Sequence, residues 1–102
     1  TDYLALSGEI EDHATNAPLV VGKTAKIVDN LRYMLGMEAY HAAQAIDLRG
    51  MAPLGAATAE AYAAVRSVVP FLNQDRVISA DIVKGYDLMA SGRLSDIARR
   101  YA

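Results

Sequence analysis

The chain has no cysteine and no tryptophan, and only one phenylalanine and three prolines in 102 residues. Without a thiol it can form no disulfide, no thiolate zinc site and no cysteine nucleophile, which fits a cytoplasmic protein. Neither sign of charge is in large excess: ten Lys and Arg face twelve Asp and Glu, for a net charge of −2. The basic residues are scattered, so no cationic stripe is offered to nucleic acid or to an anionic membrane surface. Long hydrophobic runs are missing as well. Lys26, Asp29, Arg32 and Glu38 interrupt the most apolar region, and no stretch can span a bilayer. Nothing resembles a nucleophilic triad or a phosphate-binding loop.

What is present is a helix-forming, rather apolar chain, 53% hydrophobic and 22% charged, which excludes disorder. Its length allows one domain at most, with a small core, so residues 1–102 are expected to form a single helical portion. Residues 1–16 show no sustained period and read as an extended segment and a loop. Asn16 suits an N-cap and Pro18 the first helical turn, where a missing N–H costs nothing. From there the pattern predicts one helix over 17–48, ended by Arg49 and Gly50 and barred from continuing by Pro53.

A helix of about 30 residues is roughly 45 Å long, against a radius of gyration near 13 Å for a compact domain of this size. It is therefore expected to protrude. Val28, Leu31, Leu35, Ala42 and Ile46 form an apolar stripe, which Ile27, Met34, Met37 and Leu48 widen over most of the circumference. Such a helix expects other helices around it, from a longer chain or from other subunits, and predicts a homo-oligomeric bundle. Shorter helices follow within 55–102. One spans 56–69, with Ala61, Val65, Val68 and Val69 inward. A second spans 80–90, capped by Ser79 and ended by Gly92, and a last one starts at Ser95 or Asp96. With no strand pair in view, the class is all-α.

Glu11-Asp12-His13 is the densest polar cluster, placed just before the long helix. Such a trio serves either capping and loop chemistry or a carboxylate and imidazole aimed into a cleft. Glu38 and His41 form a Glu-x-x-His pair; one pair is too few for a di-iron bundle, and a carboxylate–imidazole contact is expected in place of a metal site. Tyr33 and Tyr40 read as core or interface aromatics, and Arg99-Arg100 as a solvated helix end.

The run Ser7-Gly8-Glu9-Ile10-Glu11-Asp12-His13 resembles the loop that histidine ammonia-lyases carry as Gln-Glu-Asp-His. Asn30-Leu31, then Met37-Glu38-Ala39 and Ala42 through Arg49, resemble the long helix that follows it there. Pro53-Leu54-Gly55, Val68-Val69-Pro70-Phe71, Asp75-Arg76, Ser79-Ala80-Asp81-Ile82 and Leu88 through Gly92 continue the match in order.

That resemblance implies a C-terminal fragment of a helical, tetrameric lyase that deaminates histidine to urocanate, inactive without its N-terminal portion. It also implies a methylidene-imidazolone cofactor made from an internal Ala-Ser-Gly elsewhere in the parent enzyme. Ala90-Ser91-Gly92 is read here as a helix end, because the sequence that follows the family's tripeptide is absent. By the same resemblance Glu11 is the catalytic, substrate-facing carboxylate, holding or exchanging a proton with the amino or imidazole group, while Asp12 and His13 shape the loop. Ile10 replaces the usual Gln, and Ala14-Thr15-Asn16 the usual Val-Ser-Met. A related aromatic amino acid lyase or aminomutase is one alternative, and a non-catalytic helical oligomerisation module is another.

Overall fold

The computed structural model describes residues 3–4, 14–15, 17–50 and 53–102. It divides into two compact units, Thr1–Asn30 and Leu31–Ala102, and helix α1 (Ala17–Leu48) belongs to both. The bounds of α1 are those its apolar period and the Arg49-Gly50 stop predict. Asn16, the expected N-cap, lies outside the described residues.

In the first unit, strands β1 (Tyr3–Leu4) and β2 (Ala14–Thr15) pair antiparallel, Tyr3 opposite Thr15 and Leu4 opposite Ala14. This corrects the reading of no strand pair. Two residues per strand are too few for an apolar–polar alternation to show in a sequence. The helical part of this unit keeps Leu19, Val21, Ile27 and Val28 exposed.

The second unit holds the rest of α1 with α2 (Ala56–Arg66), α3 (Ser79–Ala90) and α4 (Arg93–Arg100). The fold is all-α, as the periodicity predicts. Its core is small: Ala43, Ala64, Val65, Leu88 and Ile97 are buried together, with Ala39, Tyr40, Tyr62, Val68 and Leu94 packed around them. Helix α1 turns a face of small residues at helical spacing, Gly36, Ala39 and Ala43, toward this core, with Tyr40 beside them. Its leucines do not take part, and neither does Met34. Leu31 is 48% exposed, Met34 61% and Leu48 71%.

The small face has a steric reason. A Cβ built on Gly36 would sit 2.5 Å from the carbonyl carbon and 2.7 Å from the carbonyl oxygen of Gly85. Helices α1 and α3 thus cross with backbone against backbone, which at position 36 only glycine permits. One turn earlier on α1, the rings of Tyr33 and Tyr86 lie 4.4 Å apart between centroids, at the short limit of the spacing that aromatic pairs adopt.

Three helix boundaries differ from expectation. Helix α2 ends at Arg66, three residues early, and the amides of Val68 and Val69 turn back to the Val65 carbonyl. Pro70 cannot donate a further amide, and Arg66 receives the chain instead. Ser79 is the first residue of α3 and not its cap: Ile78 occupies that position, without a side-chain cap bond. Helix α4 starts at Arg93, because Gly92, at φ 76°, ends one helix and begins the next. Among the described residues no helix is long and apolar enough to cross a membrane.

Candidate functional site

Glu11, Asp12 and His13 lie outside the described residues. The site the structure builds belongs to the second unit, where α1, α2, α3 and the 67–78 segment enclose a cleft of about 80 Å³. Tyr40, Gln44, Arg66, Leu72, Arg76 and Asp81 line it.

The cleft rests on residues one turn apart on α1. Asp47 accepts the hydroxyl of Tyr62 on Oδ1, and on Oδ2 it accepts Nε and Nη2 of Arg66 at 2.9 and 2.6 Å. The Tyr62 hydrogen bond, and after it the Arg66 guanidinium, hold the Asp47 carboxyl below the usual carboxylate range. Gln44, three residues earlier, behaves like a strand neighbour of Leu72. Its Nε2 donates to the Leu72 carbonyl at 2.9 Å, and its Oε1 accepts the Leu72 amide at 3.0 Å.

Two arginines complete the support. Arg66 Nη1 donates to the Val69 carbonyl at 2.9 Å. Arg76 donates to the carbonyls of Pro70 and Phe71, at 2.7 and 3.1 Å, and through Nε to Asp81 Oδ2 at 3.0 Å. Asp81 is the buried acidic residue of the second unit. Burial first, and the charge of Asp81 second, push the Tyr40 hydroxyl above its ordinary pKa. Every buried side-chain polar atom among the described residues has a partner. This is the chemistry of a rigid support: its charges are spent on each other and on backbone carbonyls.

The other candidates fall out differently. Glu38 and His41 are exposed. The Nδ1 of His41 donates to the Met37 carbonyl at 2.7 Å, within its own helix, and the ring stacks on Tyr40. The expected carboxylate–imidazole contact is therefore replaced by a backbone bond. No three His, Cys, Asp or Glu among the described residues are grouped to hold a metal. Tyr40 packs on the core and Tyr33 on Tyr86. Arg99 and Arg100 are paired and not merely solvated, with Asp96 and Glu60 respectively, and Tyr101 shares the Glu60 carboxylate.

Ala90-Ser91-Gly92 does not fit a cofactor-forming tripeptide. Ser91 closes α3, donating to the Leu88 carbonyl at 2.6 Å and accepting the Arg93 amide at 3.2 Å, while left-handed Gly92 opens α4. Closing these residues into a ring would dissolve the junction that brings Leu88 and Ile97 into one core.

The roles of Gln44, Asp47, Tyr62, Arg66, Arg76 and Asp81 are not readable from the sequence alone. One signal is present: Gln44 and Asp47 are polar residues one turn apart in the largely apolar last two turns of α1, Ala42–Leu48.

The family profile described as aromatic amino acid lyase matches residues 1–67. Histidine ammonia-lyase of Gloeobacter violaceus is 36% identical over 93 residues, which are 91% of this chain and 18% of that protein. Histidine ammonia-lyase of Treponema denticola is 32% identical over 101 residues, 99% of this chain and 20% of that protein. Among solved structures, the ergothioneine degrading enzyme Ergothionase from Treponema denticola, in complex with desmethyl-ergothioneine sulfonic acid, gives a TM-score of 0.79. It is 52% identical, over 91% of this chain and 19% of that one. The chain thus spans about a fifth of the length of the curated relatives it matches. With its first 67 residues matching the profile and nearly all of it aligning to these lyases, the chain belongs to the aromatic amino acid lyase family.

Proposed function

We propose that the chain is the C-terminal part of a lyase that eliminates the amine from an imidazole-bearing amino acid, and that it is inactive without the remaining sequence. The reaction removes a proton from the β-carbon and the amine from the α-carbon, leaving an acrylate conjugated to the ring. The family match carries this reading, because residues 1–67 include Glu11-Asp12-His13. In the proposed enzyme Glu11 faces the substrate and holds or exchanges a proton with its amino or imidazole group, as a carboxylate suits a cationic or hydrogen-donating partner. Asp12 and His13 shape that loop. The cofactor that the resemblance implies would be made outside these 102 residues, given the helix junction at Ser91. The described part is then a scaffold, self-satisfied in its polar groups and apolar on the outer face of α1. That face supports packing against the rest of the polypeptide and against further copies of it, in an assembly of cytoplasmic type.

Histidine is the substrate that the Glu11 loop and the curated relatives favour. A second reading is ergothioneine, a betaine of the same imidazole skeleton, and 52% identity to Ergothionase favours it over the 32% and 36% of the two histidine ammonia-lyases. A panel of histidine, ergothioneine, phenylalanine and tyrosine, offered to the full-length polypeptide, tests both. Turnover of either imidazole substrate is expected, and its released amine, ammonia or trimethylamine, tells which. Turnover of phenylalanine or tyrosine alone would overturn the imidazole reading.

A further inference from the structure

We infer that the 69–78 segment is a preformed docking element, displaying Phe71 and Val77, and that its partner is an apolar surface on the remaining portion of the same lyase polypeptide. The inference rests on the reading that the chain is part of a longer enzyme.

Four consecutive carbonyls in this segment, those of Val69, Pro70, Phe71 and Leu72, each accept a side-chain N–H, and the Leu72 amide is taken as well. The donors come from α1, α2 and the segment itself, through Gln44, Arg66 and Arg76. A loop that merely connects two helices leaves such groups to water. Here three long polar side chains give up their freedom to fix one irregular stretch. The segment carries two apolar side chains to the surface, one on either side of the exposed Asn73, Gln74 and Asp75. The chain's one phenylalanine, Phe71, stays 38% exposed, and Val77 is 78% exposed. A backbone fixed in advance, carrying exposed apolar side chains, lowers the ordering cost of an association still to be made.

The partner's identity follows from length. Alignment to the Treponema denticola histidine ammonia-lyase runs over 99% of this chain, so the segment belongs to the lyase polypeptide and is not an appendage to it. That alignment is 20% of the relative, which leaves most of a polypeptide to meet this surface. Arg76 is already paired with Asp81, so Phe71 and Val77 are the groups that call for an apolar surface, with Asn73, Gln74 and Asp75 as a polar tip between them.

Photo-crosslinking in the full-length polypeptide tests this. Phe71→p-benzoylphenylalanine, and separately the same probe at Val77, are irradiated and the adducts mapped by mass spectrometry. Adducts from both positions to peptides outside these 102 residues are expected. Adducts only within these 102 residues, whether of one copy or of a second, or no adduct at all, overturn the inference. Gln44→Leu, which unpins Leu72, is expected to lower the yield at position 71 severalfold with helix content preserved, and an unchanged yield rejects the bracing role. Neither readout depends on turnover. An inactive enzyme with the expected adducts defeats only the substrate reading, and an active one without them defeats only this inference.

Discussion

Arg66 of α2 grips Asp47 of α1 through a single oxygen, directing both Nε and Nη2 at Oδ2, while Tyr62 takes the other oxygen. The two side chains are 15% and 16% exposed, so the pair is shielded far better than a surface ion pair. Because Arg66 also holds the Val69 carbonyl, Asp47 supports the 69–72 segment at one remove.

That relationship sets an acid dependence. The Asp47 carboxyl is held below its ordinary range by the Tyr62 hydrogen bond and then by Arg66. The Glu60 carboxyl is lowered likewise, by the Tyr101 hydroxyl and then by Arg100. A lowered folded-state pKa gives stability that is present above the unfolded value, about 4, and is lost as pH falls through the folded one. Asp47→Asn is expected to lower the urea midpoint at pH 7 and to flatten the decline toward pH 3. A gap between parent and variant that stays constant from pH 7 to pH 3 would contradict this.

The glycine crossing predicts an asymmetry. Gly36→Ala puts its Cβ 2.5 Å from backbone carbon, whereas Gly85→Ala meets nothing closer than 3.1 Å. Alanine gains about 1 kcal/mol over glycine in a helix interior, and overpacking costs about 1–3 kcal/mol. Gly85→Ala should therefore be near neutral and Gly36→Ala clearly destabilising. Equal denaturation midpoints for the two variants would show that the helices do not cross this closely.

Exposed Leu31, Met34 and Leu35 on α1 predict self-association. Light scattering should find the chain as a dimer or larger species, and Leu31→Asp with Leu35→Asp should shift it toward monomer. A monodisperse monomer for the unmodified chain would sink the proposal that copies of α1 pack together.

Much of the fold was legible in the residues because α1 is long, periodic and bounded by Pro18 and Gly50, the latter at φ 82°. The face α1 turns to its own chain was not. Gly36, Ala39 and Ala43 carry almost no hydrophobic signal, so the eye goes to the Leu and Met stripe that the second unit leaves exposed. The support network was hidden for a related reason. Gln44 meets Leu72 across 28 residues and Arg66 meets Asp47 across 19, and no local period marks such pairs. Ser79 looked like a cap by residue type, but the helix begins one position earlier in register. Glu11-Asp12-His13 stands out in the residues as the densest polar cluster, whereas the substrate-facing role proposed for Glu11 comes from family likeness.

Glu11 therefore needs its own test in the full-length polypeptide. Glu11→Ala should cut turnover by about 100-fold or more, the usual scale for a positioned acid–base group, with oligomeric state and thermal midpoint unchanged. Full activity in the variant would remove Glu11 from the chemistry.

The most direct measurement is the stoichiometry of elimination by the full-length polypeptide, with conjugated acrylate followed by near-ultraviolet absorbance and released amine quantified in the same samples. Equal amounts of acrylate and amine, from histidine or from ergothioneine, are expected. Binding of both compounds with neither product formed would contradict the assignment of this chain to an imidazole amino acid lyase reaction.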